Sequence, residues 1–89
     1  MPLFPLGRLL LTPGARDLLA RQDLDPLIFI LQHGRGEWGD LDAEDKAENE
    51  LSVKQGFRIL SEYNTPEGKI WILTEADRSM TTILLPDEY

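Results

Sequence analysis

The hydrophobic pattern changes period along the chain, and it is clearest in the last third. From Phe57 to Leu85 three runs rich in β-branched and aromatic residues are cut by two turn signals, which predicts an antiparallel three-stranded meander. The first run, Phe57 to Tyr63, alternates: Phe57, Ile59, Ser61 and Tyr63 share one face, and Arg58, Leu60 and Glu62 the other. Asn64 to Gly68 supplies a loop in which Pro66 sets φ and Gly68 takes a positive φ. The second run, Lys69 to Ala76, is apolar on both faces and reads as the central strand. Asp77, Arg78 and Ser79 make a polar turn, and the third run, Thr81 to Leu85, ends at Pro86, which cannot donate to a ladder.

Upstream the period lengthens. Thr12-Pro13 and Asp25-Pro26 each pair an N-cap residue with a proline at the first helical position. The helix after Thr12 turns Leu18 and Leu19 inward and Arg16, Asp17 and Arg21 outward. The helix after Asp25 runs to Leu31 or Gln32, is apolar nearly all round, and is expected to be the buried one, with Gly34 as its stop. Asp42 caps a third and longest helix that Gly56 ends; Ala43, Ala47 and Leu51 at i, i+4 spacing are expected to lie on the sheet. Leu6 to Leu11, preceded by prolines, fits an edge strand. The pattern predicts one α+β domain over residues 1–89, in two layers: three helices packed on an antiparallel sheet of three or four strands.

Composition narrows the function. There is no cysteine, which excludes a disulfide framework, a thiolate nucleophile and cysteine-ligated zinc. No run of residues has the pattern of a signal peptide or a bilayer span, so a soluble cytoplasmic protein without a membrane partner is expected. The net charge of -7 opposes direct binding to nucleic-acid phosphates and permits binding to a protein partner with a basic surface, its plain alternative being solubility. Much of that charge lies in one stretch, where Asp40, Asp42, Glu44, Asp45, Glu48 and Glu50 face only Lys46.

Two stretches carry a resemblance. Gly36, Trp38, Gly39, Asp40, Asp45, Asn49 and Glu50 form the first; Trp71, Thr74 to Ser79, Thr81, Thr82, Leu84 to Pro86, Glu88 and Tyr89 form the second. On these motifs the chain resembles, over nearly its whole length, a family of small bacterial proteins of plasmids and integrated mobile elements. Its members often carry the name "plasmid-related protein" or, by transfer, "type I restriction endonuclease subunit M". The resemblance implies a mobile-element setting and no particular chemistry. A methyltransferase activity is excluded on size, and because no Asn-Pro-Pro-Tyr-type run is present.

Three candidate sites follow. The acidic segment, with Asp40, Asp42, Glu44, Asp45 and Glu48, is expected to bind a partner, as an acidic mimic that counters host restriction or defence. Its plain alternative is a solvated helix face whose carboxylates favour the helix N-terminus. Trp38, in a loop punctuated by Gly34, Gly36 and Gly39, is either an exposed partner anchor or a lid folded onto the sheet. Glu75 as base, Arg78 as anion stabiliser and His33 as acid would make a small hydrolase or ribonuclease, provided that they converge. Otherwise Arg78 pairs with Glu75 or Asp40, and His33 caps its helix. Asp40-x-Asp42-x-Glu44 lacks the glycine and the final glutamate of a calcium loop, so no metal and no cofactor is expected. A homodimer, paired through Leu6 to Leu11 or Thr81 to Leu85, is a third reading.

Overall fold

The computed structural model describes all of residues 1–89. In chain order the elements are β1 (Arg8–Leu11), α1 (Pro13–Arg21), α2 (Pro26–Gly34), α3 (Ala43–Gln55), β2 (Ile59–Thr65), β3 (Gly68–Thr74) and β4 (Met80–Leu84), with a 3-10 turn at Pro86–Glu88. Each helix starts where its cap dictates. The side chains of Thr12, Asp25 and Asp42 accept from the amides of Ala15, Leu27 and Asp45. Gly56 closes α3 in the left-handed region, at φ 78°. Gly34, by contrast, is the last residue of α2 and not its stop.

The strands form one sheet in the order β1-β4-β3-β2. The meander is present as expected, with β2-β3 and β3-β4 antiparallel. The sheet is nonetheless mixed, because β1 pairs with β4 in parallel, Arg8 beside Met80 through Leu11 beside Ile83. Thr81 to Leu85 is therefore not an edge, and it cannot be a dimer-pairing strand. Strand β2 begins two residues later than the alternation suggested, which leaves Phe57 outside it and exposed.

The helices cover one face of the sheet. Ile59, Ser61 and Tyr63 of β2, Ile70, Ile72 and Thr74 of β3, and Thr81 and Ile83 of β4 are buried on that side with Ala15, Leu18 and Leu19 of α1 and Ile30 of α2. A second small cluster joins Phe4, Trp38 and Ile59. The opposite face buries Leu73 and Leu84; there the chain end folds back, and the Tyr89 ring meets Trp71 edge-on at 5.7 Å. Glu88 fixes that end by accepting from Thr12 Oγ1 at 2.5 Å and from Gly14 N at 3.2 Å, the N-terminus of α1.

Two helix faces differ from expectation. Helix α2 buries only Ile30, His33 and Gly34, while Leu27, Ile28 and Leu31 remain 53%, 52% and 59% exposed. A nine-residue helix lying on one side of a sheet can bury one stripe only, whatever its composition. Helix α3 turns Asn49 and Ser52 inward and leaves Ala43, Ala47 and Leu51 in solvent. The reason is hydrogen bonding. Asn49 Nδ2 donates to Leu60 O at 2.7 Å, and Leu60 N donates to Asn49 Oδ1 at 3.2 Å, so the helix docks by satisfying the outer edge of β2.

Candidate functional site

The Trp38 loop continues what Asn49 begins. Glu62 N donates to Trp38 O, Asp40 N to Glu62 O, and Asn64 N to Asp40 Oδ2. The outward amides of Leu60, Glu62 and Asn64 are thus all paired, and the β2 edge is closed. Trp38 itself is only 4% exposed, with its ring 6.2 Å from Phe4 and its Nε1–H donating to Glu50 Oε2 at 2.7 Å. It is the lid of the second cluster, and its ring is not available as a partner anchor. Gly39 permits the loop's approach: its φ is +79°, and a Cβ there would collide with Glu62 O.

Asp42, Glu44, Asp45 and Glu48 all lie exposed along the first half of α3, with Asp40 just before them. The ion pairs of the molecule are Arg21–Glu67, Arg35–Glu37, Arg58–Glu75 and Lys69–Glu62, and none of these five carboxylates takes part. Asp40 and Asp42 spend one oxygen each on backbone amides, at 2.8 Å to Asn64 N and to Asp45 N. The charge therefore remains unneutralised. Asp45 and Glu48 form one wall of a shallow cleft of about 230 Å³ between α3 and β2, with Asn49 and Ser52 also lining it, and Arg58 and Leu60 on the strand side. The outward stripe of Ala43, Ala47 and Leu51 runs beside Glu44 and Glu48. This flank presents a small apolar seam bordered by free carboxylates. No three His, Asp or Glu side chains converge in a way that would hold a metal ion.

Glu75, Arg78 and His33 do not share a site. Glu75 Oε1 accepts from Arg58 Nε at 3.3 Å and faces a surface recess that neither Arg78 nor His33 lines. Arg78 donates to the carbonyls of Phe57, Glu75, Ala76 and Ser52, and its guanidinium carbon sits 5.5 Å from the centre of the Phe4 ring. Its Nη1 and Nη2 donors tie the β3-β4 turn to the end of α3, and it forms an ion pair with neither the Glu75 nor the Asp40 carboxylate. Arg78 holds a φ of 61°, the left-handed conformation that the turn needs. Asp77 closes the turn by accepting from Ser79 N at 2.9 Å, and its bonds to Ser79 hold its carboxyl below the usual range.

His33 is fully buried and is neither an acid catalyst nor a cap. Its Nδ1 lies 2.6 Å from Ser61 Oγ and its Nε2 2.8 Å from Thr74 Oγ1. Thr74 Oγ1 is 2.7 Å from Thr81 Oγ1, which donates to Leu6 O at 2.7 Å. A carbonyl only accepts, so each proton in this chain is assigned from that end. Thr81 gives its proton to Leu6, Thr74 gives its proton to Thr81, and His33 Nε2–H donates to Thr74. Nδ1 is then the acceptor, and Ser61 donates to it. The ring is neutral with its proton on Nε2, and burial pushes its pKa down to about 4. The sequence offered no signal for this chain, since Ser61, Thr74 and Thr81 sit at ordinary strand positions.

No family model matches the chain, and neither a curated protein nor a solved structure matches it. No helix is long and apolar enough to cross a membrane.

Proposed function

We propose that the chain is a non-enzymatic protein-binding module that engages a basic surface of a partner through the acidic flank of α3. One observation carries this reading: Asp40, Asp42, Glu44, Asp45 and Glu48 are exposed together, and no base of the same chain neutralises them. Free carboxylates in one area make the local potential more negative and speed encounter with a basic partner. The seam of Ala43, Ala47 and Leu51 beside them adds the apolar contact that charge alone lacks. The resemblance to the plasmid-related family supplies the setting, in which a small acidic protein of a mobile element occupies the basic groove of a host restriction or defence protein.

The test is capture of partners from a host extract at low and at high salt. The bait is the intact chain or a variant carrying Asp42→Asn, Glu44→Gln, Asp45→Asn and Glu48→Gln. The intact chain is expected to retain a defined basic protein at low salt, to release it as salt rises, and to lose it in the folded variant. Equal recovery by the two baits, or no recovery at low salt, overturns the reading.

A further inference from the structure

The two outer edges of the sheet are treated in opposite ways. The β2 edge is closed by Asn49, Trp38 and Asp40, as described above. The β1 edge is open. Arg8 N donates to Ser79 O and Thr12 N to Ile83 O, so Arg8, Leu10 and Thr12 direct their backbone groups toward β4. Leu9 and Leu11 then direct their N–H and C=O outward, and no group of the chain pairs with them.

Beside this edge lies the exposed stripe of α2. Leu9 and Leu11 share a groove with Pro26, Leu27 and Ile30, and Ile30 and Leu31 line a second recess with Met1 and Pro2. Both grooves are lined by the buried Ile30, and the exposed Leu27, Ile28 and Leu31 of α2 put further apolar area beside the strand edge. We infer that this surface is a self-association interface, in which β1 of one copy pairs antiparallel with β1 of a second copy about a two-fold axis at Leu10.

Backbone geometry selects the register. Only when Leu9 lies opposite Leu11 of the second copy, and Leu11 opposite Leu9, do all the outward groups find partners; Leu10 then faces its own counterpart. The same register sets Arg8 opposite Thr12 and keeps like charges apart. It joins two four-stranded sheets into one continuous sheet and brings Leu27, Ile28 and Leu31 of the two α2 helices together.

Charge and area point to a second copy as the occupant. Residues 1–36 carry four arginines and three aspartates, whereas residues 37–89 carry thirteen carboxylates and five bases. The segment that forms β1 and α2 is thus nearly balanced, with Glu88 also held at its Thr12 end, and it selects no charged partner, while the acidic α3 flank packs against β2 at the far edge of the sheet. A stable interface covers on the order of 800 Å² per partner, about a seventh of this chain's 5342 Å² surface. One face of a body measuring 36 × 27 × 25 Å supplies that share. Pairing also consumes the open edge of each copy, so assembly stops at two. This interface is separate from the acidic flank, and the dimer would present two such flanks at opposite ends.

Sedimentation or light scattering on the full chain at tens of micromolar is expected to give twice the mass of one chain. Leu27→Glu with Leu31→Glu should halve the mass while leaving the circular dichroism spectrum unchanged. The chain has no native cysteine, so Leu10→Cys provides a sole thiol at the two-fold axis. Mild oxidation should convert it to a disulfide-linked dimer, with little product from Ala43→Cys on α3. An intact chain that is monomeric at every concentration overturns the proposal and leaves the edge to a foreign strand. Equal cross-linking of Leu10→Cys and Ala43→Cys also overturns it.

Discussion

Asn49 stands in for a neighbouring strand at Leu60, giving one hydrogen bond and accepting another along the edge of β2. A helix side chain thereby does the work of a ladder, and Val53, packed on the Phe4–Trp38–Ile59 cluster, adds the apolar contact of α3. Asn49→Leu would leave both backbone groups of Leu60 unpaired in a half-buried setting. It should lower unfolding free energy by about 3 kcal/mol, at roughly 1–3 kcal/mol per stranded group, read as a reduced urea midpoint. Asn49→Asp keeps the acceptor but sets a carboxylate oxygen against Leu60 O, and it should be destabilising as well.

The buried imidazole makes stability depend on pH. The unfolded chain takes up a proton at His33 near pH 6.5, but the folded chain does so only near 4. The unfolded state therefore binds more protons in between, and stability falls as pH drops from 6.5 toward 4, then levels off for this group. The total loss is about 3 kcal/mol at 1.36 kcal/mol per unit. Urea titrations at pH 7.5 and 4.5 should show most of that loss, and His33→Gln should flatten the slope across the window. Nitrogen chemical shifts of the ring should report the neutral form with its proton on Nε2, and a proton on Nδ1 would contradict the assigned chain.

Glu88 acts in a lower window. Its bond from Thr12 Oγ1, and then that from Leu85 N, hold its pKa below the ordinary glutamate value. Its contribution is present above the unfolded value and is lost as pH falls through the folded one. Glu88→Gln should loosen the C-terminal turn without unfolding the sheet. Faster hydrogen exchange at the Leu85 amide and a red-shifted, more solvent-exposed Trp71 emission would record that change.

Two glycines with nearly the same φ should respond differently. Gly39 at +79° lies against Glu62 O and the Tyr63 ring, while nothing lies within 4 Å of a Cβ at Gly56, at +78°. Gly56→Ala should cost about 1 kcal/mol, the left-handed penalty alone. Gly39→Ala adds a collision that only opening the β2 edge relieves, and it should cost more than about 2 kcal/mol. Parallel thermal melts decide the order.

Sequence reasoning found what short-range chemistry determines. The three N-caps, the glycine stop of α3, the polar turn at Asp77 to Ser79 and the alternation Ile59, Ser61, Tyr63 each depend on neighbours within a few residues, and all are present. What it missed depended on distant partners. The inward face of α3 was misassigned because Ala43, Ala47 and Leu51 satisfy an apolar period, whereas Asn49 answers a backbone need eleven residues away. The exposure of α2 and the burial of His33 follow from where the helix sits on the sheet, which no local pattern encodes. For the candidate site, the exposed carboxylates of α3 were legible as a charge run. The burial of Trp38 was legible only as one of two alternatives, since Phe4 and Glu50, which enclose it, lie far off along the chain.

Strand β1 is set beside β4, so the first strand in sequence waits on the fourth. Loop-closure entropy across that separation is spent before any of the pairing is gained, which favours slow completion of the sheet. Until Met80 to Leu84 arrives, Arg8 to Leu11 is a bare leucine-rich strand with both margins unprotected. A nascent or truncated chain is then the species most exposed to wrong pairing, and chaperone demand should concentrate on that interval.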